Sequence, residues 1–239
     1  MSISDAEPFL QTSDLTLHYG QSQILYDVSL HAAIGEVTCL MGTNGVGKTS
    51  LLKAISGTHA RSGGSLKLAG ADLKPLPAHA MARHGVAYVP QGREIFPLLT
   101  VRENLETGFA CLEGADRAVP DEIYELFPVL REMQNRRGGD LSGGQQQQLA
   151  IGRALVTKPK LLLLDEPTEG IQPNVIQQIG RVIAHLRDQG SMAILLVEQY
   201  FDFGFELADQ ILVMRRGEIL LSDTKSNLSR EKLLTELSV

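Results

Sequence analysis

The octapeptide GTNGVGKT at residues 42–49 restricts the possible folds of this chain more than any other stretch. It follows the apolar run 37–41 and precedes a segment of helical character that ends at Gly57. A glycine-rich turn between a strand and a helix directs backbone N–H groups inward, and the positive end of the helix adds to their field. The pattern therefore predicts a loop that binds polyphosphate.

Two side chains of this loop add specific contacts. Lys48 can reach the β and γ phosphates of a nucleotide, and the hydroxyl of Thr49 can coordinate Mg²⁺. Gly42, Gly45 and Gly47 let the backbone wrap closely around the phosphates. An apolar strand, a phosphate loop and a helix in this order predict a P-loop NTPase core.

A second, acidic motif is expected beside the loop. Residues 161–166 read LLLLDE, and four consecutive leucines predict a central parallel strand that is buried on both faces. Ligands collect at the carboxyl ends of the strands in an open α/β sheet, so Asp165 is predicted to hold Mg²⁺. Glu166 is then placed to polarise a water molecule for in-line attack on the γ phosphate.

The order of the apolar runs predicts an α/β fold. Strands are expected within residues 10–41, in short pieces within 63–77, and at 86–90, 161–165, 193–197 and 211–214. Helices are expected from residue 48 to 57, at about 174–187 and near 200–208. Strands that alternate with helices favour a parallel sheet with right-handed crossovers. The turn at residues 215–218 suggests a closing hairpin.

Residues 92–158 differ in character from the rest. A capping box at residues 100–103 opens a helix toward Cys111, and residues 121–133 repeat apolar side chains at helical spacing. We therefore expect one domain over residues 1–239. Its predicted parts are a core with an N-terminal antiparallel β region (10–91 and 159–225), an inserted small helical lobe (92–158) and a C-terminal helix (226–239).

The composition limits the classes of protein to which this chain can belong. The net charge of −6 disfavours a nucleic-acid partner, which usually leaves a basic footprint. No apolar stretch approaches the roughly 18 residues of a membrane span, and the N-terminus lacks the pattern of a secretory signal. A cytoplasmic protein is therefore expected. Cys39 and Cys111 are predicted to be reduced thiols, and the six histidines show no metal-ligand spacing.

The pentapeptide LSGGQ at residues 141–145 makes a resemblance specific. By itself, Ser142 with two glycines can expose a helix N-terminus to an anion. A phosphate loop followed by LSGGQ and then LLLLDEP, however, closely resembles the ATP-binding subunits of ABC transporters over about residues 10–220. The resemblance implies the ABC ATPase fold, with ATP and Mg²⁺ as ligands. It also implies a second ATP-binding subunit, because in that family two subunits enclose two ATP molecules head to tail.

The resemblance also assigns roles to individual residues. The expected ATP contacts are Tyr19, Gly42, Thr43, Asn44, Gly45, Val46, Gly47, Lys48, Thr49 and Ser50. The residues expected to face the ATP of the second subunit are Leu141, Ser142, Gly143, Gly144 and Gln145. Tyr19 matches the aromatic residue that stacks on adenine, although a plain core or strand tyrosine is an alternative. Gln91 matches the glutamine that contacts Mg²⁺ and the attacking water. The expected catalytic residues are Glu166, Gln199 and Gln91, and the expected Mg²⁺ ligands are Thr49, Gln91 and Asp165.

The chain departs from the family pattern at two places. Gln199 stands where the family normally has a histidine that touches the γ phosphate. A glutamine can donate and accept hydrogen bonds, but it cannot carry a proton near neutral pH. Residues 168–173, TEGIQP, occupy the family's dimer-crossing loop, where Ser-Ala-Leu-Asp is usual.

The stretches GREIFP, EGIQP and VEQYFDF look most like the urea-type ATP-binding subunit of the amide and branched-chain amino-acid importers. We therefore expect an ATPase that powers import of urea or a short amide. Its expected partners are membrane permease subunits on the inner face of the plasma membrane and, indirectly, an extracytoplasmic solute-binding protein. The apolar side chains at residues 95, 96, 98 and 99 are expected either to dock the permease or to fill the lobe core.

Three alternatives stay open. Within transport, the solute can be a branched-chain amino acid. Outside transport, the chain can be an ABC-type ATPase of DNA repair or translation, although such proteins usually carry large insertions or tandem copies. It can also be a module that closes on ATP without hydrolysing it, for which Gln199 is the argument and intact Lys48, Asp165 and Glu166 are the counter-argument.

Overall fold

The computed structural model describes residues 8–112 and 117–237. The strands are β1 (Leu10–Tyr19), β2 (Ser22–Ala32), β3 (Val37–Met41), β4 (Gly63–Leu68), β5 (Ala71–Asp72), β6 (Val86–Val89), β7 (Leu161–Asp165), β8 (Ala193–Glu198), β9 (Gln210–Arg215) and β10 (Glu218–Thr224). The helices are α1 (Lys48–Ser56), α2 (Ala78–Arg83), α3 (Val101–Glu106), α4 (Asp121–Leu126), α5 (Pro128–Glu132), α6 (Gly143–Val156), α7 (Pro173–Asp188), α8 (Phe201–Leu207) and α9 (Arg230–Leu237).

The larger sheet has the order β10-β9-β3-β8-β7-β6 and carries the site. All its neighbouring pairs are parallel except the hairpin of β9 and β10, which adds an antiparallel edge strand. The predicted parallel sheet and closing hairpin are therefore confirmed. Met41 at the end of β3 pairs with Glu198, and Asp165 at the end of β7 pairs with Val197. This register brings the carboxyl ends of β3, β7 and β8 to one edge.

The leucines of β7 show why this strand is apolar throughout. Leu162 and Leu164 join a core beneath the lobe and helix α7, whereas Leu161 and Leu163 join a second core with helix α1. Successive strand residues point to opposite faces of a sheet, so a strand covered on both sides needs apolar residues at every position. The burial predicted for this strand is confirmed, because all five of its residues are buried.

The N-terminal β region forms a separate antiparallel sheet of order β2-β1-β4-β5, as the sequence predicts. Its buried leucines pack on α1 and close the second core. Gly64 is required at the start of β4, because its φ is +75° and an added Cβ would lie 2.3 Å from the carbonyl oxygen of Asp14. Residues 73–77 lie outside any strand, and the short helix α2 was not expected from the sequence.

The helical lobe differs from the prediction in one respect. Thr100 and Glu103 form the expected capping box at the start of α3, and the chain then continues as a 3₁₀ turn, Thr107–Cys111. The single helix expected at residues 121–133 is instead two helices, α4 and α5. Pro128 restricts the preceding residue, and Phe127 takes φ −132° and ψ 75°, which breaks the helix.

Two further expectations concern the cysteines and the termini. Cys39 is buried, Cys111 is half-buried, and neither is in a disulfide. Helix α9 begins at Arg230, after a 3₁₀ turn at Lys225–Asn227, and residues 238–239 of the expected C-terminal helix lie outside the described residues. None of the helices in the described segments combines the length and the apolar character that crossing a bilayer requires.

Candidate active site

The phosphate loop connects β3 to α1 with the backbone that its glycines allow. Gly45 and Gly47 take φ of +81° and +114°. Gly47 is the N-cap of α1 and supplies no side-chain cap, so the first amides of the helix keep their donors for an anion. An added Cβ on Gly42 would lie 2.5 Å from the carbonyl oxygen of Met214. The loop therefore has the conformation that the motif predicts.

A cleft of about 370 Å³ opens beside this loop. It is lined by Tyr19, Ile24, Asn44, Gly45, Gly47, Lys48, Thr49, Ser50, Gln91 and Glu166. Seven of the ten expected ATP-contact residues thus lie around one concave surface. The other three, Gly42, Thr43 and Val46, do not line the cleft, and Val46 packs against the second core.

Lys48 is buried and bound to three oxygens. Its Nζ donates to the carbonyl oxygens of Gly42 and Thr43 at 2.8 and 3.0 Å and lies 3.1 Å from Oε1 of Glu166. The side chain therefore lies along the loop, with its charge paired to the residue expected to act as the base. A buried ion pair is stable only when its partners are also well hydrogen-bonded, and both are here.

Glu166 stands at the centre of the polar contacts in the cleft. Its backbone is in the left-handed region, with φ 45°, and its N–H donates to the carbonyl oxygen of Val197 at 2.9 Å. Its Oε2 accepts from Nε2 of Gln91 and from Nε2 of Gln199, each at 3.4 Å. A left-handed conformation is uncommon for a residue other than glycine and is found preferentially at functional sites.

Gln199 was expected to touch a γ phosphate. In the structure its amide donates to the carboxylate of Glu166, and its contact with a phosphate stays a prediction. Gln91 also donates to Oε2 of Glu169 at 2.9 Å, so it connects residue 166 to the segment that follows it. The three expected catalytic residues are therefore brought together in one hydrogen-bonded group.

Thr49 and Asp165 form the candidate Mg²⁺ site. The Oγ1 of Thr49 donates to Oδ1 of Asp165 at 3.2 Å, and the hydroxyl of Tyr88 donates to Oδ2 at 3.0 Å. Burial raises the pKa of Asp165, and these two hydrogen bonds oppose that shift. Hydroxyl and carboxylate oxygens side by side are the hard donors that Mg²⁺ prefers, so the residues fit the ion. In the described residues no cluster of three or more His, Cys, Asp or Glu side chains offers an alternative metal site.

Tyr19 ends β1 at the rim of the cleft. Its side chain is 42% exposed, and its ring lies 4.4 Å from the ring of His59 at a tilt of 34°. It is therefore not a core tyrosine, but it is a strand residue, and its role in stacking on a base stays a prediction. His59 also contacts the backbone of this strand through Nε2, 3.0 Å from the carbonyl oxygen of His18. One face of the Tyr19 ring is thus supported by a second ring.

The LSGGQ residues lie elsewhere, at the start of α6. Ser142 is the N-cap and forms a capping box with Gln145, whose Oε1 accepts from the Ser142 N–H at 2.9 Å. Packing is tight at Gly144, where an added Cβ would lie 3.0 Å from Val175, whereas at Gly143 it would meet only the mobile end of Arg93 at 3.1 Å. None of residues 141–145 lines the cleft of the same chain.

Sequence reasoning missed three residues around the site. Tyr88 shows no motif, but its place in a strand beside β7 puts its hydroxyl on Asp165, and burial raises its pKa. Arg93 takes φ 63° and donates to the backbone oxygen of Glu169 at 3.4 Å and to Oε1 of Gln146 at 3.5 Å. Glu198 was visible as a charged residue that ends an apolar run. Arg93 lies in the stretch GREIFP, but that stretch predicted no contact for it.

Glu198 is a buried carboxylate with four donors. Its Oε1 accepts from N and Oγ1 of Thr168 at 3.2 and 2.8 Å, and its Oε2 accepts from the N–H groups of Gln199 and Tyr200 at 3.1 and 3.2 Å. Burial raises the pKa of Glu198 to about 7, although these hydrogen bonds lower it and the charge of Glu166 adds to the increase. It therefore titrates near neutral pH.

The apolar residues at positions 95, 96, 98 and 99 begin the helical lobe. They divide between the two expected roles, which are filling the lobe core and docking a partner. Ile95 packs against the core, and Leu99 is half-buried. Leu98 is 78% exposed and Phe96 is also exposed, with the guanidinium of Arg153 5.5 Å from its ring centre. Phe96 and Arg153 line a groove of about 430 Å³ between core and lobe. Exposed apolar side chains beside a groove are typical of a protein interface.

Comparisons with known proteins agree with this geometry. A family model described as ABC transporter matches residues 25–169, more than half of the chain. The chain is 43% identical over 220 residues to the high-affinity branched-chain amino acid transport ATP-binding protein BraG of Pseudomonas aeruginosa, covering 92% of this chain and 94% of BraG. It is 36% identical over 231 residues to the probable branched-chain amino acid transport ATP-binding protein LivF of Archaeoglobus fulgidus, covering 95% and 97%.

Solved structures agree on the fold. A nucleotide-free ATP-binding cassette from an ABC transporter superposes with a TM-score of 0.83 at 26% identity, covering 98% of this chain and 96% of that one. An ATP-binding cassette of an ABC transporter in its ADP conformation gives a TM-score of 0.78 at 27% identity, covering 97% and 98%. The predicted α/β P-loop core with an inserted helical lobe is confirmed.

Proposed function

The chain belongs to the ABC transporter family as an ATP-binding subunit, and on this basis we propose that it hydrolyses ATP to power import of branched-chain amino acids through separate membrane subunits. The observation that carries the proposal is the convergence of Lys48, Glu166 and the Thr49–Asp165 pair on one cleft beside the phosphate loop. Each of these groups has a use in phosphoryl transfer, and the cleft brings all of them to one side of the loop.

The arrangement suggests how hydrolysis begins. The uncapped start of α1 and the ammonium of Lys48 bind the phosphates, which compete with Glu166 for the lysine charge. Release of this contact leaves the Glu166 carboxylate free to accept a proton from water, while Gln91 and Gln199 orient that water through their amides. Thr49 and Asp165 would hold Mg²⁺, which would supply neutralisation of charge on the phosphate oxygens.

The active unit is proposed to be a dimer of ATP-binding subunits. The LSGGQ residues start α6 away from the cleft of their own chain, and their backbone donors suit an anion bound by a second subunit. Residues 168–173 begin two positions after Glu166 and are proposed to cross to that subunit. The second subunit can be another copy of this chain or a related ATPase.

The solute and the membrane partner are inferred from different features. The relatives described as branched-chain amino acid transport proteins share 43% and 36% identity with this chain, and this favours branched-chain amino acids over the urea expected from the short motifs. Phe96, Leu98 and the groove beside them are proposed to dock a permease subunit at the inner face of the membrane. A solute-binding protein would then be an indirect partner on the other side.

Steady-state ATP hydrolysis with Mg²⁺ tests the activity. We expect turnover by the parent chain, loss of at least about 100-fold for Glu166→Gln, and little change for the exposed control Glu218→Gln. Gln199→His is expected to change turnover only slightly, because Gln199 orients and does not carry a proton. A parent that binds ATP but shows no turnover until Gln199→His is introduced would make this chain the inactive half of an asymmetric pair.

Uptake by cells tests the solute. A strain that lacks this chain should lose uptake of radiolabelled leucine and regain it with the parent chain but not with Glu166→Gln. Uptake of radiolabelled urea is measured in the same cells. Loss of urea uptake with normal leucine uptake would reject the branched-chain amino-acid assignment in favour of the urea-type one.

A further inference from the structure

Glu198 touches two functional loops but does not line the cleft between them. It ends β8, and its side chain is 1% exposed. Alternation along the strand places it on the face of Leu196, opposite the face that packs on α1. There it lies beneath α8, since an added Cβ on Gly204 would be 3.6 Å from the Glu198 Cβ. A direct contact between Glu198 and a nucleotide in the cleft is therefore excluded by its position.

The two oxygens of Glu198 serve two different loops. Oε1 binds Thr168, two residues after Glu166 and the first residue of the segment 168–173. Oε2 binds the amides of Gln199 and Tyr200, which begin the loop after β8. One carboxylate thus bridges the loop that carries Glu166 and the loop that carries Gln199, in addition to the backbone bond from Glu166 to Val197.

Only a carboxylate meets this arrangement. Four donors point at the two oxygens, and a glutamine at position 198 would present an NH₂ group to two of them. A buried charge is costly, and the raised pKa of Glu198 reflects that cost. Packing alone would favour a neutral or apolar residue at this position, as at the other β8 positions, which are all apolar. The need for four acceptors explains why a charge stands here.

We infer that Glu198 is a positioning residue for ATP hydrolysis, which ties the segment 168–173 to Gln199 and so holds the Gln199 amide against Glu166. The inference rests on the proposed function. Because the segment 168–173 is also proposed to cross the dimer, the same tie transmits its position to the amide that orients water. Glu198 thereby makes the geometry of Gln199 depend on contacts that the second subunit makes.

Kinetics in two backgrounds test the inference. Glu198→Gln is expected to lower kcat about tenfold or more while changing the KM for ATP less than about twofold, because no contact of Glu198 reaches the phosphate loop. In a Gln199→Ala background the same substitution should lower kcat less than about twofold, since its effect passes through Gln199. An equal loss of kcat in both backgrounds, or a loss that appears in KM, would overturn the inference.

Hydrogen exchange supplies a measurement that needs no ATP turnover. In the nucleotide-free chain, Glu198→Gln should speed amide exchange in peptides that cover residues 166–170 and 197–201 by about tenfold, and Thr168→Val should do so in the first peptide. The control Glu36→Gln removes a half-buried carboxylate elsewhere and should leave both peptides unchanged. Unchanged amide exchange in Glu198→Gln would show that Glu198 does not hold the two loops together.

The ATPase kinetics and the hydrogen-exchange rates separate the proposed function from the positioning role of Glu198. A parent chain without ATPase activity would reject the proposed function, and the exchange rates would still decide whether Glu198 holds the loops. Thr168→Val preserves the shape of the side chain and all charges, so it tests the tie even where Glu198→Gln fails to fold. No change of exchange in Thr168→Val as well as Glu198→Gln would leave no support for a positioning role.

Discussion

Replacing Glu198 by glutamine should make the chain less sensitive to pH between 5 and 8. The buried carboxyl has a pKa of about 7, whereas an unfolded chain holds a glutamate near about 4.3. The folded state therefore binds more protons than the unfolded state in this window. The stability contributed by the protonated Glu198 carboxyl is fully present below the pKa of the unfolded chain. It is lost as the pH rises through the pKa of the folded chain.

The size of this loss follows from the two pKa values. Between pH 5 and pH 8, ionisation of Glu198 should remove about 2.5 kcal/mol from the free energy of unfolding of the parent chain. The Glu198→Gln variant has no carboxyl group at this position to ionise. Its free energy of unfolding relative to the parent should therefore rise by about the same amount from pH 5 to pH 8. For a domain of this size the change corresponds to a shift of about 5–10 °C in the relative Tm.

Urea denaturation followed by circular dichroism at pH 5, 6, 7 and 8 measures this difference. Each variant is compared with the parent at the same pH, so the other titrating groups cancel. Asp223→Asn is a control of opposite sign, because hydrogen bonds from Asn227 and the Thr224 amide lower the pKa of Asp223. Its difference from the parent should therefore stay constant between pH 5 and pH 8 and should shrink only as the pH falls below about 4. A pH-independent difference between Glu198→Gln and the parent would refute the burial argument.

Three further substitutions test other parts of the structure. Gly64→Ala should destabilise the chain by at least about 2 kcal/mol in urea titrations, because its Cβ would clash with the carbonyl oxygen of Asp14, whereas Gly70→Ala, at a similar positive φ but with open space, should cost only about 1 kcal/mol. Thr100→Ala removes the cap of the first lobe helix and should cost about 1 kcal/mol, with Thr100→Ser restoring most of it. Tyr88→Phe removes a hydrogen bond to the candidate magnesium-binding aspartate and should raise the Mg²⁺ concentration for half-maximal ATPase activity about tenfold; an unchanged requirement would contradict that contact.

Local patterns predicted the elements that carry the site. Four leucines before Asp165 predicted a strand buried on both faces, because only apolar side chains suit both sides of a covered sheet. The glycines and Lys48 predicted the phosphate loop, since no other residue type adopts such backbone angles without strain. The helical break at Phe127 was not predicted, because the apolar spacing of residues 121–133 indicates one helix, although Pro128 is the residue that causes the break.

Roles that depend on neighbours across the fold were not predicted. Glu198 was seen as the end of an apolar run, and its link to Thr168 joins residues 30 positions apart. Tyr88 reaches Asp165 only because β6 lies beside β7, a separation of 77 positions. Arg93 contacts both the lobe and the Glu169 backbone from a strained loop. Periodicity reports which face a residue occupies, but it carries no information about which side chain lies opposite.

The sequence by itself determined the chemistry available to this protein: a phosphate loop, two acidic residues after a buried strand and a glutamine at position 199. These depend on residue type and on local backbone geometry, which act over a few neighbouring positions. Only the tertiary structure decided that Glu166 binds Lys48, Gln91 and Gln199 together. It also decided that Glu198, at the end of β8 beneath α8, connects two loops. Strand order and register set those contacts, because a parallel sheet brings the ends of strands distant in sequence to the same edge.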